Sequence, residues 1–151
     1  MKSKRVLVGI ALLVGTGYGA AVFAQAKPDV LVKQRQAAMT LIGKYWGPIG
    51  GMPSGKAPYN AERVTTNAAY LEVLSKMPWD GFTAGTKDEK SRALPAVFTD
   101  TAKFKEGADL MQRNIAQLAK VSKGGDEATV KGAIADVGKA CAGCHENFRA
   151  K

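Results

Sequence analysis

The chain has 151 residues, a formal net charge of +9 and 46% hydrophobic residues. This length suits a single domain with its own core and excludes a multidomain enzyme or a polytopic membrane protein. Two cysteines are too few for a disulfide-dense mini-protein. Nucleic acid is not an expected partner, because like charges form no long block and aromatic residues do not alternate with lysine and arginine.

The N-terminus has the pattern of a secretory signal peptide. Three positive charges precede an apolar run over residues 6–23, which ends in small residues and offers a cleavage site before Gln25. A permanent membrane anchor is the alternative, but the run has only about 18 residues and glycine, threonine and tyrosine dilute it. We therefore expect a signal peptide over 1–24 and a mature domain over 25–151, with a net charge of about +6.

The mature chain shows helical periodicity throughout and no long alternation of apolar and polar residues. Proline, glycine and capping residues predict helix boundaries. The expected helices cover 28 to 47 or 50, 61 to 77, 95 or 100 to 123, and 126 to near the chain end. Residues 78–95 form a long irregular connection. This pattern predicts an all-α fold, an antiparallel up-down-up-down four-helix bundle.

The expected core residues recur at spacings of three and four along each helix. Arg35 is a cation on the otherwise apolar inward stripe of the first helix. The inward-facing residues, or those beside them, are Leu31, Arg35, Ala38, Met39, Leu41, Ile42, Tyr45, Trp46, Val64, Ala68, Leu71, Leu74, Phe104, Ala108, Met111, Ile115, Leu118, Val121, Val130, Ile134, Val137, Cys141, Cys144 and Phe148.

One motif in the sequence indicates a specific chemistry. It is Cys141-Ala142-Gly143-Cys144-His145, a C-x-x-C-H sequence typical of c-type haem attachment. On a helix, positions i, i+3 and i+4 lie on one face. The two thiols can therefore reach the two vinyl groups of a porphyrin, and His145 can present a ring nitrogen to the iron from the same side.

Three alternatives compete with haem at this motif. A structural zinc site needs four ligands, and the chain has two cysteines and one histidine. A thioredoxin-like dithiol belongs at a helix N-terminus in a βαβ unit, whereas this motif ends the last helix. A plain disulfide suits an exported chain but leaves His145 unexplained, and its short loop stabilises little. Covalent haem is the preferred interpretation.

The mature chain resembles the class II c-type cytochromes, the cytochrome c′ group. The resemblance rests on the C-x-x-C-H close to the C-terminus with Glu146-Asn147-Phe148-Arg149 after it, and on three shorter matches. These are Arg35-Gln36 on the first helix, Ala57-Pro58-Tyr59-Asn60 before the second, and Pro78-Trp79 after it.

The resemblance implies one covalently attached haem c per chain. It implies thioethers at Cys141 and Cys144 and His145 as the axial iron ligand. It places Arg35 and Gln36 against the haem propionates, with a contribution from Ser91 or Arg92 in the long connection. Arg149 shields the proximal face.

Met39 is the residue that the resemblance places over the distal side of the iron. A five-coordinate iron beneath it can bind small gases such as nitric oxide, and this is the preferred hypothesis. In the alternative, Met39 is the sixth ligand of a low-spin cytochrome that acts only in electron transfer. A purely structural interpretation is that Met39 fills space in the hydrophobic core.

The resemblance further implies a homodimer in the periplasm, and the signal peptide pattern implies that no permanent membrane anchor remains. Its partners are expected to be redox proteins, acidic ones in view of the positive charge around the haem edge. An enzyme is not expected, because no second histidine exists to act as a distal acid–base group.

Overall fold

The computed structural model describes residues 26–151, so the predicted signal peptide lies outside the described residues. Four long helices form the bundle, which confirms the predicted fold class. The single-turn α3 directly precedes α4. The helices are α1 (Pro28–Gly50), α2 (Ala61–Leu74), α3 (Ala96–Thr99), α4 (Thr101–Val121) and α5 (Glu127–Phe148).

Local chemistry explains most helix boundaries. The side chain of Asn60 accepts a hydrogen bond from the backbone N–H of Arg63 at 2.8 Å, and Asp126 caps α5 in the same way through Thr129. These caps satisfy N–H groups that have no partner within the helix. The second helix ends at Leu74 rather than at 77, because residues 75–77 turn toward Pro78.

The first helix continues through Gly47-Pro48 and ends at Gly50, the later of its two predicted ends. Pro48 has no N–H to donate to the carbonyl of Lys44. At the neighbouring carbonyl, the side-chain amide of Asn67 in α2 donates to Tyr45 O at 2.9 Å. This bond ties the last turns of α1 to α2.

The core lies between the four long helices, and most of the predicted stripe is buried. It extends beyond the prediction through Ile49 and Met52, which are 0% and 1% exposed. Each large apolar side chain removed from water stabilises the fold by about 1.5–3 kcal/mol. Leu41 is the main exception among the predicted residues, because it is 42% exposed on the outer side of α1.

The connection between α2 and α3 contains two short 3-10 turns, Trp79–Gly81 and Ala84–Thr86. Its final residues pair with the C-terminal tail through an isolated antiparallel bridge between Ala93 and Arg149. Leu94 N donates to Phe148 O at 3.0 Å, and the N–H of the penultimate residue donates to the carbonyl of Arg92 at 2.8 Å. The connection is therefore fixed against the end of α5. None of the described helices has an apolar stretch long enough to cross a membrane.

Removing the cap at the start of α2 gives a direct test of this fold. We expect Asn60→Ala to lower the free energy of unfolding by about 1 kcal/mol, because the N–H of Arg63 loses its acceptor. Urea unfolding followed by circular dichroism measures the change. Thr66→Ala, at an exposed position on the same helix, is the matched control and should leave stability the same or slightly higher. Equal losses in both variants would contradict the capping role.

Candidate functional site

A cavity of about 760 Å³ opens between α1, α4, α5 and the connection before α3. Its volume lies within the range of about 300–1,000 Å³ typical of ligand and cofactor sites. All nine residues predicted from the sequence line it. They are Arg35, Gln36, Met39, Ser91, Arg92, Cys141, Cys144, His145 and Arg149.

Cys141 and Cys144 lie on the last turns of α5, where both are half-buried and no disulfide joins them. Burial raises the pKa of each thiol, and for Cys141 the neighbouring Cys144 raises the pKa further. Gly107 of α4 faces the second thiol, since a Cβ built there would lie 3.7 Å from Cys144 Sγ. The two sulfurs line the cavity one helical turn apart.

His145 follows on the same helix and also lines the cavity. It is exposed, yet enough protein surrounds its imidazole that burial lowers the pKa. The positive charges of Arg149 and Arg92 lower the pKa further. A neutral imidazole is the form that binds a metal. Arg92 is held in place because its Nε donates to the backbone carbonyl of residue 150 at 2.9 Å.

Arg35 is the most buried charged residue of the site, at 3% exposure. Its Nη1 donates to Gly81 O at 2.7 Å and to Thr86 Oγ1 at 2.9 Å, and its Nη2 donates to Ser91 Oγ at 3.0 Å. Its guanidinium also lies 4.3 Å from the centroid of the Phe82 ring. Burial lowers the pKa of this side chain, but an arginine remains charged.

An aromatic cluster forms the apolar side of the cavity. Phe104 contacts both Phe82 and Phe148 edge-on, with ring centroids 4.9 and 5.3 Å apart. Trp79 packs on the same group, 5.9 Å from Phe104. The sequence predicted Phe104 and Phe148 as inward-facing. It did not single out Trp79 or Phe82 for the site, because the irregular connection has no periodicity to follow.

Met39 and Gln36 of α1 form part of the cavity wall. Met39 is half-buried and Gln36 is exposed. Trp46, one of the predicted inward residues, lines the same wall, and its indole packs 3.4 Å from the position of a Cβ on Gly138 of α5. Residues of α1 and α5, which are far apart in the sequence, therefore line the same cavity.

The residues of the cavity fit a haem group. A flat apolar ring suits the aromatic wall, and two thiols with an adjacent imidazole suit covalent attachment and iron ligation. Arg35 supplies a buried positive charge, and no ion pair among the described residues includes it. An anionic group such as a propionate complements that charge. The four-helix fold and this site define a c-type cytochrome whose haem-attachment motif lies near the C-terminus.

Comparison with known proteins leads to the family. The family profile described as Cytochrome C′ matches residues 30–149. Cytochrome c′ of Rubrivivax gelatinosus is 40% identical over 126 residues, which are 83% of this chain and 98% of the relative. Cytochrome c′ of Alcaligenes xylosoxydans xylosoxydans is 37% identical, with the same coverage of both chains.

Solved structures agree with these sequence matches. The crystal structure of the Rubrivivax gelatinosus protein has a TM-score of 0.76 at 39% identity and covers 82% of this chain and 98% of its own. A nitric oxide complex of a variant of the Alcaligenes xylosoxidans protein has a TM-score of 0.74 at 37% identity, with 83% and 98% covered. The chain belongs to the cytochrome c′ family and carries covalently attached haem c.

Proposed function

We propose that this cytochrome transfers electrons in the periplasm and binds small gases at a five-coordinate haem iron. The observation that supports the proposal is a single cavity that brings together the two thiols, His145 of α5 and the buried Arg35 of α1. Optical spectra of the oxidised and reduced protein test it. They report whether haem is present and whether the iron is high or low spin.

Cys141 and Cys144 are the proposed attachment residues. Each would hold the haem through one thioether at a vinyl position of the porphyrin. His145 is the proposed axial ligand, because it is the only histidine in the 151-residue sequence and lies beside the second thiol. When bound, the haem supplies a one-electron redox couple and an open coordination position for a gas.

The charged and polar residues around the cavity have a separate role. Arg35 and Gln36 from α1, with Ser91 and Arg92 from the connection, are proposed to hold the propionates. Arg149 carries its positive charge close to His145, where we propose that it shields the proximal face. Both groups of residues fix the orientation of the haem and exclude water from part of its surface.

Met39 is proposed as the distal cover. It is half-buried on the α1 wall of the cavity that His145 lines from α5. A thioether ligand at this position would leave no site for a gas. Solved complexes of Alcaligenes xylosoxidans cytochrome c prime variants contain nitric oxide, and this supports an open site at the iron of the present chain. The alternative is a Met/His-ligated low-spin cytochrome that acts only in electron transfer.

Export to the periplasm is proposed from the signal peptide pattern over 1–24 and from the covalent haem. A redox partner with an acidic surface suits the net positive charge of the chain. Enzymatic catalysis is not part of the proposal, because the single histidine is assigned to the iron and none remains for distal acid–base chemistry.

A homodimer through α1 and α2 is also proposed. The outer faces of these helices carry large exposed apolar residues, among them Leu41 at 42%, Tyr70 at 50% and Val73 at 58%. Tyr70 stacks on Tyr45 of α1 with ring centroids 4.5 Å apart, so the two helices present one continuous surface. Apolar patches of this kind mark protein interfaces.

The attachment residues can be tested by extraction. In the double variant Cys141→Ala, Cys144→Ala we expect acid–acetone to remove all the haem, because no thioether remains. Each single variant keeps one thioether and should retain its haem, which makes the single variants the matched controls. A double variant that keeps its haem through extraction would show that the motif is not the attachment site.

The distal role of Met39 is tested by Met39→Leu, which keeps the volume and apolar character while removing sulfur. We expect an unchanged high-spin optical spectrum, because Met39 covers the iron without binding it. Met39→Ala should additionally speed carbon monoxide binding, since it opens the distal face. A low-spin wild type that becomes high-spin in Met39→Leu would instead establish the thioether as a ligand and remove the gas-binding site.

The dimer is tested by placing a charge on its proposed interface. We expect Val73→Lys to convert the dimer to a monomer in sedimentation velocity, because the lysine ammonium would have to be desolvated. Leu110→Lys is the matched control, since Leu110 is 42% exposed on α4, away from the patch. A wild-type monomer, or equal effects of both substitutions, would contradict an interface through α1 and α2.

A further inference from the structure

Thr86 is completely buried at the end of the second 3-10 turn, at 0% exposure. Its hydroxyl accepts a hydrogen bond from Arg35 Nη1 at 2.9 Å and lies 2.8 Å from Thr83 O, to which it donates. Thr86 is not one of the described residues that line the cavity. It therefore contacts the arginine from behind, without reaching the space that the haem fills.

Gly81 approaches the same arginine through its backbone. Its carbonyl accepts from Arg35 Nη1 at 2.7 Å. A Cβ at this position would lie 2.9 Å from Arg35 Cβ and 2.9 Å from Leu31 O, which is closer than such atoms pack. Only glycine lets the connection come near enough to α1 to accept this bond without displacing the arginine.

The three acceptors of Arg35 share one property, which is that none carries a charge. They are a carbonyl, a threonine hydroxyl and a serine hydroxyl. A guanidinium has five N–H donors, so these three bonds leave two donors for another group. A carboxylate partner would orient the arginine and also cancel its charge. Neutral oxygens orient it and leave the full positive charge to act on its surroundings.

We infer that Thr86 and Gly81 are positioning residues, which hold the Arg35 guanidinium in one orientation beside the haem so that its positive charge, opposed by no protein carboxylate, raises the reduction potential. The inference rests on the proposed function, in which Arg35 faces a propionate. The physical reason is that reduction adds an electron to the haem, and a nearby fixed cation stabilises the reduced state.

The test is the midpoint potential of the holoprotein, measured by spectroelectrochemistry. Thr86→Val keeps the branched shape and removes the hydroxyl. We expect a lower potential, seen as a fall of about twofold in the ferrous-to-ferric ratio at a fixed applied potential. Thr86→Ser retains the hydroxyl and should restore the wild-type value. Thr83→Val is the matched control, because the Thr83 side chain is exposed directly before the turn and the substitution keeps the backbone carbonyl to which Thr86 donates. It should leave the potential unchanged.

Arg35→Gln separates this inference from the proposed function. If Arg35→Gln lowers the potential and Thr86→Val does not, the positioning role is wrong and the haem-facing role of Arg35 stands. If Arg35→Gln has no effect, both are wrong. A Thr86→Val protein that loses only thermal stability also contradicts the inference. Should Thr86→Val fail to yield holoprotein, Gly81→Ala displaces the arginine by another route and must lower the potential.

Discussion

The buried positive charge of Arg35 is the constraint on which the irregular part of this structure depends. Taking a charge out of water costs several kcal/mol unless other groups replace its hydration. The connection after α2 does so with one carbonyl and two hydroxyls, and thereby acquires a fixed conformation that its own composition does not provide. Arg35 thus organises the cavity wall that faces it.

The packing of the bundle is uneven, and the haem accounts for the difference. The pairs α1–α2, α2–α4 and α4–α5 make extensive contacts, whereas α1 and α5 make few. The cavity occupies the remaining space between them. The haem therefore supplies apolar contacts that side chains supply elsewhere in the core, and its attachment is coupled to the stability of the fold.

The sequence predicted the four long helices because their apolar stripes and caps are local signals. It also singled out nine site residues, through a compact motif and a family resemblance, and all nine line one cavity. What it did not predict depends on distant contacts. Thr86 and Gly81 lie in a segment without periodicity, and their importance follows only from the side chain of Arg35. Leu41 follows the helical pattern as well as its buried neighbours do, and only the bundle geometry shows that it faces outward.

The arrangement of α1 and α5 around one cavity has a consequence for the order of folding. The residues that build its two walls lie far apart in the sequence, on α1 and α5, so the cavity cannot close until α5 has packed against the rest of the bundle. The other three long helices do not need α5 to pack together, because α2 packs against both α1 and α4. Docking of the cysteine-bearing α5 is therefore the step that closes the cavity, and the pairing of the tail with the connection at Ala93 fastens that helix in place.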